Sequence, residues 1–82
     1  MLAPRGTTVL NEVTVREIEA IFEITDRLGI SRESLRIPLR PGSPGRVRPL
    51  PGGAFEIVVD AHTDFAVFLA DLEGELRQLT SS

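Results

Sequence analysis

Eighty-two residues leave room for one domain, and a chain of that length buries only about 60% of the surface its unfolded form exposes. Leucine, isoleucine, valine and phenylalanine supply 27 positions, a third of the chain, too apolar for a disordered segment and enough for one small core. With no cysteine, one histidine and a formal charge of −3, three things are excluded: disulfide staples, thiolate or histidine-rich metal centres, and a chain built throughout to follow a polyanion.

Residues 1–10 hold Pro4, Gly6 and two threonines and are expected to form a loose arm, with Thr7 to Leu10 as an additional edge strand. Thr14-Val15-Arg16-Glu17 fits a capping box, so a helix should begin there. Steps of 100° place Val15, Ile18, Ile21, Phe22, Ile24, Thr25 and Leu28 on one face, with Arg16, Glu19, Glu23, Asp26 and Arg27 opposite. Gly29 stands where a left-handed residue would close that helix. Leu35 to Arg40 alternates strictly enough for a strand with Leu35, Ile37 and Leu39 inward, and Pro38 makes it an edge strand or marks a bulge.

The stretch from Pro41 to Gly53 carries four prolines and four glycines in thirteen residues and is expected to be a long irregular loop. Ala54 to Asp60 is aromatic and β-branched, with Phe55, Ile57 and Val59 on one face, and should be a central strand. Asp60, Thr63 or Asp64 can cap a last helix whose Phe65, Phe68, Leu69, Leu72, Leu76 and Leu79 follow spacings of three and four. Gly74 inside that helix suggests close approach of another backbone, or drift, and residues 80–82 should fray.

Helix, strand, loop, strand and helix then give a single two-layer α+β domain, an antiparallel ribbon with two amphipathic helices on one face. Its other face and its strand edges would be left open, which makes a homodimer the expected state. No apolar run has the length of a membrane span or the form of a secretory signal, so a cytoplasmic location is expected.

Chemistry is sparse. Asp60, His62 and Asp64 gather the only histidine between two acids, as a metal or acid/base pair would need; capping at a strand-to-helix junction explains the same residues. No serine has a nucleophile elbow or a base, so a non-catalytic chain with no cofactor and no metal is expected. Charge is uneven along the chain: residues 1–31 sum to −2, 32–48 to +4 and 49–82 to −5, and every basic residue is arginine. Arg36, Arg40, Arg46 and Arg48 are therefore the candidate contact residues, joined by Leu50 between two prolines and by Val58 on the outer side of the central strand. They suit a protein-interaction or regulatory module working as a homodimer or with an unidentified protein partner. The competing expectation is a nucleic-acid or phosphate-binding module. Against it stand the negative net charge, the absence of tyrosine and tryptophan, and phenylalanines all assigned to core faces.

Overall fold

In a computed structural model, residues 12–80 are described. Helix α1 runs Val15–Arg27, strand β1 Leu35–Arg36, β2 Arg46–Leu50, β3 Ala54–Val58 and helix α2 Phe65–Thr80. The two helices and a three-stranded mixed sheet form the α+β fold, with strand order β1-β3-β2. The arm and the strand expected before residue 11 lie outside the described residues.

Helix α1 starts at Thr14, whose backbone N–H donates to Glu17 Oε1 at 2.8 Å and whose hydroxyl donates to the same oxygen. The hydroxyl bond and then the amide bond hold the Glu17 carboxyl below its ordinary range. Val13 just before the cap is buried and Ile18 packs against the same cluster, the two positions of a hydrophobic staple. The helix ends in a Schellman motif: Gly29 N–H donates to the Asp26 carbonyl at 3.1 Å, and Ile30 N–H to that of Thr25 at 2.9 Å. Gly29 takes φ +77°, the left-handed conformation expected of it.

Both helices pack on the face of β3 that carries Ile57. Ile21 and Ile24 of α1, Phe68, Leu72 and Leu76 of α2, and Ile57 and Val59 form one buried cluster with Val13 and Ile30. Thr25 is buried too, its hydroxyl satisfied by the Phe22 carbonyl at 3.1 Å. Three expected core positions of the helices fall outside. Val15 is 67% exposed in the first turn of α1, and Phe22 is half-buried beneath the Arg32 guanidinium, 4.6 Å from its ring centroid. Leu79 is exposed near the end of α2. Thr80, expected to fray, still belongs to α2 and its hydroxyl donates to the Leu76 carbonyl at 2.7 Å.

The strand expected over Leu35 to Arg40 is shortened to two residues, and β1 runs parallel to β3, so the sheet is not a simple antiparallel ribbon. Pro38 supplies no N–H, so the chain swings out of the ladder before it and touches the sheet again where Gly42 bridges Asp60. Leu39, expected inward, is 60% exposed, although its carbonyl accepts from Val13 N–H at 2.8 Å.

The expected irregular loop is corrected as well. Arg46 to Leu50 pairs antiparallel with β3 from Arg46 opposite Val58 to Leu50 opposite Ala54, and Pro51–Gly53 turns the hairpin. Gly52 and Gly53 both sit at φ +80°, which no bulky residue adopts cheaply. Pro49 is tolerated because β2 is an edge strand: its missing N–H faces away from β3, where no ladder bond is required.

Candidate functional site

Side chains alternate across a strand, so the pairing register assigns each residue to a face. Val47 and Pro49 stand opposite Ile57 and Phe55 on the helix-covered side. On the other side, Arg36 of β1 and Arg48 of β2 flank Glu56 of β3 in one row across all three strands. Arg46 pairs with Val58 in the next row, and Leu50 with Ala54 at the opposite end. Five of the six candidate residues therefore share one open sheet face. Arg40 does not join them; it lies exposed in the loop after β1.

The row is polarised. Arg48 Nε donates to Glu56 Oε1 at 2.7 Å, and the Glu56 side chain is only 17% exposed between its neighbours. Strand spacing puts the backbones of Arg36 and Arg48 about 10 Å apart, one on each side of that glutamate. Among the described residues, Arg36 and Arg46 make no ion pair, whereas Arg27, Arg32 and Arg77 on the helical side are each bridged to an acid. The open face thus carries Arg36 and Arg46, neither within ion-pair distance of an acid among the described residues, beside the half-buried apolar groups of Leu50, Ala54 and Val58. Gly42 allows the outgoing loop to pass close to Val58; a Cβ there would lie 2.8 Å from Val58 Cγ1. Ala54 and Glu56 share this face with the residues singled out from sequence. Only the register finds Ala54, because a small residue has no chemistry to announce it.

Asp60 organises the far end of the sheet. Its Oδ2 accepts from Gly45 N–H at 2.9 Å, and its Oδ1 from His62 N–H at 2.8 Å and Thr63 N–H at 2.9 Å. The Gly45 bond first, then those from His62 and Thr63, draw its pKa down to about 2. Asp64 caps α2, its Oδ1 accepting from Ala66 N–H at 2.8 Å. Both acids beside His62 are thus bound to backbone amides, and the imidazole is exposed. Among the described residues, no three side chains of the metal-binding types converge.

A concavity of about 570 Å³ separates β2 from α2, with Val47, Phe68 and Leu72 among its walls and Arg46, Asp71 and Glu75 also lining it. Gly74 lines it, and nothing lies within 4 Å of where its Cβ would be, so no other backbone approaches there. Among the described residues, no helix is long and apolar enough to cross a membrane. Compared with known proteins, the chain matches no family model, no curated protein and no solved structure.

Proposed function

We propose that the chain is a non-catalytic protein-interaction module working through its open sheet face. The pairing register carries this proposal: it gathers Arg36, Arg46, Arg48, Leu50 and Val58 on the side of the sheet that neither helix covers. Exposed arginines around apolar side chains suit an interface centre, and a sheet face that no helix covers among the described residues offers a surface to bind.

The physics favours a partner other than a second copy. Two open faces packed together would bury Arg36 and Arg46 of both copies in one interface, where Glu56 is already held by Arg48. Pairing through the β2 edge would bring Arg46 and Arg48 of both copies into one ladder, with Pro49 short of a donor. Nucleic acid is disfavoured because no aromatic ring stands on this face: Phe55 points to the core, and Phe65 and Phe68 stack with centroids 6.2 Å apart in α2.

Photo-crosslinking tests the proposal. A benzophenone amino acid at position 58 should give protein adducts in cells, whereas the same group at Glu19 on the outer side of α1 should not. Equal adducts from both positions, or adducts removed by nuclease but not by protease, would refute it.

A further inference from the structure

The open face ends in a hollow of about 400 Å³ whose lining includes Ser34, Arg36, Leu50, Pro51 and Ala54. It exists because small residues meet there. Ala54 stands opposite Leu50, and Ser34 immediately precedes β1, so no large side chain fills the space above the start of β3. Leu50, Pro51 and Ala54 make its apolar wall, and it is also lined by Glu33 and by Arg36, which makes no ion pair among the described residues. Four residues along β2 from Leu50, about 13 Å away at strand spacing, Arg46 offers a second unpaired guanidinium.

We propose that the open face captures an acidic segment of a partner protein, seating one apolar side chain in the hollow over Ala54 and placing carboxylates on Arg36 and Arg46. This rests on the interaction function proposed above and adds the chemistry of the partner. Charge complementarity selects the occupant. A carboxylate compensates a guanidinium through two parallel hydrogen bonds, while the hollow rewards an apolar group that a polyphosphate backbone does not carry. Arg48 contributes less because Glu56 already occupies it.

Fluorescence anisotropy with labelled peptides reads this directly. The probe is a blocked glutamate-rich peptide with one central leucine; its controls replace the glutamates by lysine or the leucine by serine, and a single-stranded oligonucleotide is the competitor. Each peptide replacement should weaken binding about tenfold. The Arg36→Glu/Arg46→Glu double variant should prefer the lysine peptide. The Ala54→Phe variant, which fills the hollow from the solvent side, should bind the leucine and serine peptides equally while keeping the wild-type unfolding temperature.

A lysine peptide bound as tightly as the glutamate peptide would overturn the inference. So would a leucine advantage that survives Ala54→Phe, or displacement of the glutamate peptide by the oligonucleotide at low concentration. If the glutamate peptide fails while crosslinking from position 58 remains specific, the acidic partner falls and the interaction function stands. If both fail, both fall.

Discussion

Replacing Asp60 by asparagine should destabilise the fold by about 3 kcal/mol near neutral pH, because one carboxylate holds three backbone amides from two segments. Asparagine preserves the shape but has one acceptor oxygen. With that oxygen turned to His62 and Thr63, its NH₂ group faces the Gly45 N–H donor to donor; flipped, it abandons the other two amides. The loss is therefore at least one charge-assisted bond, about 1.5–3 kcal/mol, plus the weakening of those that remain. For a domain of this size each kcal/mol moves the unfolding midpoint by about 4–8 °C, so a fall of about 12 °C or more is expected. The pH dependence isolates the charge. Asp60 titrates near 2 in the folded protein against an ordinary 3.8. A depressed carboxyl contributes stability that is fully present above about pH 4 and lost as pH falls through about 2, so the gap between wild type and variant should narrow toward that pH. Thermal unfolding followed by circular dichroism at pH 7 and near pH 2 measures both numbers. A gap under about 0.5 kcal/mol at pH 7, or one that does not shrink with acid, would refute the role given to this carboxylate.

Gly45→Ala should be damaging to a similar degree, about 2–3 kcal/mol, since its Cβ would lie 2.6 Å from Asp60 N and 2.7 Å from the Val58 carbonyl oxygen. Those are backbone atoms and cannot rotate away; urea titration gives the value. Gly74→Ala should stabilise the protein by about 0.5–1 kcal/mol, visible as a raised unfolding temperature, because its site is open and lies within α2. Ile57→Ala, at the fully buried centre of β3, should cost about 2–5 kcal/mol in the same urea assay. Arg48→Ala breaks only a surface pair and should change stability by less than about 1 kcal/mol, which keeps charge variants of the open face usable for binding studies.

The helices were legible because their signals are local. Thr14 with Glu17, Gly29, and the repeats through Ile21 and Leu72 all act within a few residues, and the structure places each as the spacing predicts. Strand β2 was not legible. Pro49 and the glycines around it carry the marks of a loop, and what makes Arg46 to Leu50 a strand is pairing with β3 across the Pro51–Gly53 turn. Pro38 marks a limit on its strand in the sequence but not the strand's end, because the sequence does not say whether a missing N–H would face a neighbour. The junction around Asp60 carries the local residue pattern of a capping site. Its third bond, to Gly45 fifteen residues earlier, needed the fold.

The candidate surface divides the same way. Composition alone picked out the arginine-rich segment from residue 32 to 48 and the apolar residues left over from the helix stripes and strand faces. Whether those arginines meet depends on register, since a shift of one residue in β2 would turn Arg46 and Arg48 to the core side and Val47 to the open face. Amino-acid order by itself therefore determined two amphipathic helices, a central β-branched strand and the residue types available for binding, because periodicity and capping are short-range effects. Tertiary structure decided the strand hidden in a proline-rich stretch, the parallel placement of β1, and the sharing of one face by Arg36, Arg46 and Arg48. Those outcomes depend on hydrogen bonds between residues far apart in the chain, which no local pattern encodes.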